Sequence, residues 1–134
     1  MYELLASAAR TASGNFALPD KKGELFAIDL LLTVTAQAGT TPTLNVALER
    51  RLTGSVWEGF LTFAEVAAAT PTRLATWVRD VAPAAVERAP VAPGAAGALN
   101  GPAGSEWRLT WAIAGGSPSY TFSVHAEEYF ASRK

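Results

Sequence analysis

The chain contains no cysteine, a single histidine and a single methionine among its 134 residues. Without cysteine there are no disulfides, no thiolate metal ligands and no thiol nucleophile, so stability must come from packing and strand pairing. With His125 as the only histidine, a metal site has little to be built from. Charge of one sign is also lacking: 11 Lys and Arg against 12 Asp and Glu leave a net charge of −1. The basic residues are scattered, so no nucleic-acid or membrane partner is expected. The longest apolar run, Leu25 to Val34, is interrupted by Asp29 and Thr33 and is too short to cross a bilayer. The opening M-Y-E-L-L-A-S-A-A-R has no basic n-region and too short an apolar stretch for a secretion signal, so a soluble protein made in the cytoplasm is expected.

Catalytic motifs are missing as well. No G-x-S-x-G elbow accompanies the serines, and His125 falls in a strand pattern on the face opposite Tyr120, Phe122 and Val124. No D-x-D-x-D-G run is present, and the adjacent Glu127 and Glu128 point to opposite faces of a strand. A-G-G-S-P-S lacks the lysine and the following helix of a phosphate loop. The residues therefore point to a non-enzyme with no cofactor. Trp57, Trp77, Trp107 and Trp111 admit a sugar-stacking platform, but Trp107 and Trp111 share the phase of Leu109 and Ile113, which reads as core.

What is present is apolar content of 49%, with four Trp, six Phe and three Tyr, enough for one folded domain. A turn-centred pattern occurs twice, 76 residues apart: A-Q-A-G-T-T-P-T-L-N-V-A-L at 36–48 and A-I-A-G-G-S-P-S-Y-T-F-S-V at 112–124. Glycine and a Thr-Pro or Ser-Pro pair between apolar runs predict two hairpins. Alternation in 24–36, 43–52, 56–66, 106–114 and 119–130 predicts strands, with a weaker one at 73–79. Leu30, Leu32, Val34, Leu44, Val46, Leu109, Trp111, Ile113, Phe122 and Val124 are the expected core, and Phe26 and Ile28 share the inward phase. Residues 67–72 read as a loop. In 81–104, 17 of 24 residues are Ala, Pro or Gly, which predicts a long loop. The expected fold is all-β: an antiparallel sandwich or small barrel, jelly-roll-like, of about seven or eight strands. It divides into an N-terminal arm over 1–23 and a single β domain over 24–134.

With those residues in view, L-L-A-S-A-A-R-T-A-S (4–13), L-L-L-T-V-T-A-Q-A-G-T-T-P-T-L-N-V-A-L (30–48) and W-R-L-T-W-A-I-A-G-G-S-P-S-Y-T-F-S-V (107–124) resemble a group of small tailed-bacteriophage structural proteins. The resemblance covers roughly half of the chain and fails over 67–104. It implies a non-enzymatic virion component made in the host cytoplasm. The leading version is a capsid decoration protein, a homotrimer bound to the major capsid protein on the capsid surface. The alternatives are a minor tail or head-tail protein, or a carbohydrate-binding host-adhesion module on the virion. Residues 1–18 then read as a strap, in which Leu4, Leu5, Phe16 and Leu18, on either side of Ser13-Gly14-Asn15, dock on an adjacent subunit. The competing reading is that residues 2–9 complete the domain's own sheet.

Overall fold

Two strands far longer than the usual five or six residues form the spine of the molecule. The computed structural model describes residues 1–18, 25–78, 97–98 and 106–130. In chain order the strands are β1 (Tyr2–Arg10), β2 (Gly14–Ala17), β3 (Leu25–Thr53), β4 (Val56–Thr62), β5 (Thr72–Val78), β6 (Gly97–Ala98) and β7 (Trp107–Phe130). β3 and β7 pair antiparallel along their whole length, from Leu25↔Phe130 to Arg50↔Trp107. The sheet runs β1-β7-β3-β4-β6, with β2 also on β7 and β5 also on β3. Among the described residues all pairings are antiparallel and the sheet does not close on itself.

The two expected hairpins are absent: neither repeat reverses the chain. Each repeat lies in the middle of a spine strand, and the two meet one another, at Thr40↔Gly116 and Thr43↔Ala114 with shifted register. The local dihedrals explain the difference. A two-residue hairpin of type I′ needs positive φ at two successive residues. Here positive φ falls on every second residue, at Gly39 (118°) and Thr41 (44°), and again at Gly115 (123°) and Ser117 (48°). The proline after each of these pairs fixes its own φ at about −65°, and the chain pairs onward as strand from Thr43 and from Ser119. Each strand therefore bends and continues. The bends interlock, because a Cβ on Gly39 would lie 2.9 Å from Gly116 O and Pro118 Cα, and one on Gly115 would lie 2.9 Å from Pro42 Cα and Thr41 O.

The bend divides the sheet into two halves that share one core. β5 pairs with the first half of β3 and β1 with the last half of β7; β4 and β2 pair with the other halves. Alternation holds within each half, burying Ile28, Leu30, Leu32 and Val34 before the bend of β3 and Leu44, Val46 and Leu48 after it. Each such side chain contributes about 1.5–3 kcal/mol by leaving water. The halves meet where Phe60 packs on Trp77 at 4.8 Å and lies stacked on Trp107 at 6.4 Å. Buried Tyr120 donates its hydroxyl to Ala67 O (2.9 Å) and Val66 O (3.2 Å), tying the 63–71 connection to the core.

Three side chains depart from the alternation. Phe26 is exposed because the register slips between Leu25 and Ala27, turning it out of the inward row. Trp111 and Ile113 are only half-buried, lying at the margin of the core beside the bend. The chain turns at Gly54–Ser55; the loop expected over 67–72 gives way to β5 at Thr72, and the strand expected over 56–66 stops at Thr62 with a lone bridge from Val66 to Leu44. The 81–104 loop lies outside the described residues apart from Gly97–Ala98, which pair with Leu61 and Thr62.

The interlock predicts that Gly39→Ala and Gly115→Ala each cost about 1–3 kcal/mol. In urea denaturation the double variant should cost less than the sum, since both substitutions open one crossing; strict additivity would mean independent bends. Tyr120→Phe should cost about 0.5–1.5 kcal/mol by removing the hydroxyl's hydrogen bond, the Val66 and Ala67 carbonyls keeping the N–H groups of Leu44 and Ala69. Burial first, and Glu65 second, raise the Tyr120 pKa. The folded state thus keeps a proton that the unfolded chain releases near pH ~10, and stability falls as pH rises through that value. The Phe variant should show a shallower alkaline fall.

Candidate functional site

The irregular middle of the N-terminal segment is clamped by Arg10. β1 runs along β7 from Tyr2↔Ala126 to Arg10↔Tyr120, but its register slips between Glu3 and Leu5 and again between Leu5 and Ala8. Such slips leave ladder groups unpaired. Arg10 fills the deficit, its guanidinium donating to Ala6 O (2.8 Å), Ala8 O (3.1 Å) and Phe122 O (2.9 Å). The same group lies over the Phe122 ring at 4.6 Å and the Trp111 ring at 5.3 Å. Burial lowers its pKa from the usual value, and an arginine stays charged through such a shift. The small residues Ala6, Ser7, Ala8 and Ala9 let the chain curl around it.

Trp111 then fixes the turn that leads to β2. Its Nε1 donates to Ala12 O at 3.2 Å, and Ser13 Oγ accepts from the Ile113 N–H at 2.9 Å. A Cβ at Gly14 would stand 2.6 Å from Trp111 Cζ2, so the ring rests on a position where only glycine fits. β2 pairs with Arg108 to Trp111, and the Leu18 N–H donates to Trp107 O at 3.0 Å.

These contacts correct the strap reading. Leu4 and Leu18 are buried in the chain's own core, and Leu5 is half-buried against it. Only Phe16 is exposed, at 42%. Edge-strand pairing and the Arg10 clamp consume the segment that the sequence offered as a free arm, and the boundary at residue 23 separates no structural unit among the described residues. Residues 19–23 themselves lie outside them.

Exposed apolar side chains collect elsewhere, where β1 begins, β3 begins and β7 ends. Met1, Tyr2, Phe26, Tyr129 and Phe130 are all at least 40% exposed there. The Met1 ammonium meets Glu127 Oε2 at 2.7 Å, and the Tyr2 hydroxyl donates to Glu128 Oε1 at 2.6 Å. Burial first, then Glu128, push the Tyr2 pKa up. The sequence signal was the consecutive pair Leu25-Phe26, which breaks strict alternation, and Tyr129-Phe130 beyond the acidic pair.

Among the described residues, no catalytic partner reaches Nδ1 of His125. It stands in register with Glu3 and Leu31, half-buried, with Nδ1 enclosed and unpartnered. Among the described residues no group of three or more His, Asp or Glu is placed to hold a metal ion. The tryptophans form no open coplanar platform: Trp77 and Trp107 are buried, while Trp57 lies under the Arg108 guanidinium (4.4 Å) as Trp111 lies under Arg10. None of the described residues forms a helix, so none is long and apolar enough to cross a membrane. Neither protein-family models, nor curated proteins, nor solved structures give a match to the chain.

Arg10→Ala should lower stability by about 1.5–3 kcal/mol, and Arg10→Lys should restore only part of it because a point charge cannot serve three carbonyls. Deleting residues 1–18 should unfold the isolated protein, seen as loss of its cooperative thermal transition. A truncated protein that melts near the parent temperature would return the segment to the strap reading.

Proposed function

We propose that this chain is a non-enzymatic phage virion structural protein, a capsid decoration protein that binds and stabilises the major capsid lattice as a homotrimer. One observation carries the reading: the three motifs that resemble the phage group are the parts that build the scaffold. Residues 30–48 and 107–124 lie in the two spine strands and form their interlocked bends, and residues 4–13 form β1 and its arginine clamp. The resemblance therefore falls on architecture and not on a catalytic constellation. The finer fold that accompanies this reading is sandwich-like, with the two halves of the bent sheet as its leaves, closer to a jelly-roll-like sandwich than to a barrel.

The exposed end at Tyr2, Phe26, Tyr129 and Phe130 supplies the contact surface in place of the strap. Aromatic side chains at such a patch bury large area with few rotatable bonds. Repeated at every lattice point, modest contacts add up through avidity.

Particles made from the genome that encodes this chain should carry it on the head surface, detected by antibody labelling of purified virions. A Tyr129→Ser, Phe130→Ser double variant should fold with an unchanged thermal transition and be lost from the particles. Labelling confined to tails would remove the capsid version, and absence of the chain from particles would overturn the proposal.

A further inference from the structure

A groove of about 240 Å³ lies on the outer face of the half-sheet formed by β4 with the second half of β3 and the first half of β7. Its depth has a simple cause. Ala47, Gly59 and Ala112 line it, so three neighbouring strands carry a methyl group or nothing where a longer side chain would fill the surface. The polar groups around this apolar floor, Asn45, Glu49, Thr62 and Thr110, each carry an oxygen that can accept. Asn45 donates Nδ2 to Glu65 Oε2 at 3.0 Å, and a carboxylate accepts only from the amide nitrogen, which fixes the carboxamide orientation. Asn45 Oδ1 is thereby committed as an acceptor, and it is enclosed without a partner. Thr62 also lines the groove, only 4% exposed, and its Oγ1 has no hydrogen bond.

The charges favour a donor of positive sign. At one end Glu49 is neutralised by Arg108, with Nε to Oε1 at 2.7 Å. Beyond the lining, beside Asn45, Glu65 has the Asn45 amide but no cationic side chain in an ion pair with its carboxylate among the described residues; Arg73 donates Nη1 to the Ala64 and Glu65 carbonyls. The site thus joins an apolar channel to one uncompensated carboxylate and two unused oxygens. An alkylammonium fits that combination: its methylenes cover the small residues and its head offers three donors and no acceptor.

We infer that this groove binds a primary alkylammonium group, as carried by a lysine side chain of a partner protein. The inference stands apart from the virion reading, because it is tested on the isolated protein with a small probe. In a two-dimensional amide NMR titration, Nα-acetyl-lysine methylamide should shift the resonances of Asn45, Ala47, Thr62 and Ala112. The same compound acetylated at Nζ keeps the stem and loses the charge, and should bind at least about tenfold more weakly. Glu65→Gln should weaken the charged probe by a similar factor. Ala112→Tyr, on the exposed side of the sheet, should abolish the shifts while leaving the thermal transition in place. Equal shifts from the charged and acetylated probes, no shifts at high millimolar probe, or undiminished binding by the Ala112→Tyr variant would overturn the inference.

Discussion

Everything in this fold depends on two backbones passing within van der Waals contact at one place. At Gly39 and Gly115 a Cβ would stand 2.9 Å from atoms of the opposite bend, and both residues sit at φ near 120°. Side chains are excluded there twice over, by space and by dihedral. The strands bend together, and the buried side chains of both halves belong to a single core. Straight strands of 29 and 24 residues would leave one face of each half in water. The bend is thus the condition for burying Leu30 and Leu48 in the same interior.

Much of this is legible in the residues. Period-two alternation places Leu30, Leu32, Val34, Leu44, Val46, Leu109, Phe122 and Val124 inside, where they are. The bends themselves are not legible, because hairpins and interlocked bends draw on the same chemistry: a glycine for positive φ, a proline with its own φ fixed, apolar runs on either side. What separates them is whether positive φ falls on successive residues or on every second one, and composition does not encode that. Phe26 escapes for a related reason, since a bulge shifts the phase of the residues beside it without changing their type.

The N-terminal segment shows how a charged residue can hide its role. Arg10 looks like one more scattered cation in the sequence, yet it supplies donors to three carbonyls and a charge to two aromatic faces. The signal was the run of small residues before it, Ala6 to Ala9, which are poor at packing but leave room for a side chain to fold back. Once that clamp closes, Leu4 and Leu18 become interior. The candidate contact surface moves to Tyr2, Phe26, Tyr129 and Phe130, whose exposure depends on a slipped register and on where the core ends, and neither is written in any one residue.

The reciprocity of the crossing has a geometrical meaning. Gly39 approaches Gly116 to Pro118, and Gly115 approaches Thr40 to Pro42, so a rotation by half a turn about an axis between Thr40 and Gly116 carries one repeat onto the other. That is the rule of an isologous interface, in which a single patch serves as both halves of the contact. The segment 36–48 is therefore shaped to receive a copy of itself. In this chain the copy is supplied 76 residues further along, and a contact of the kind that joins two chains in a dimer is here enclosed within one.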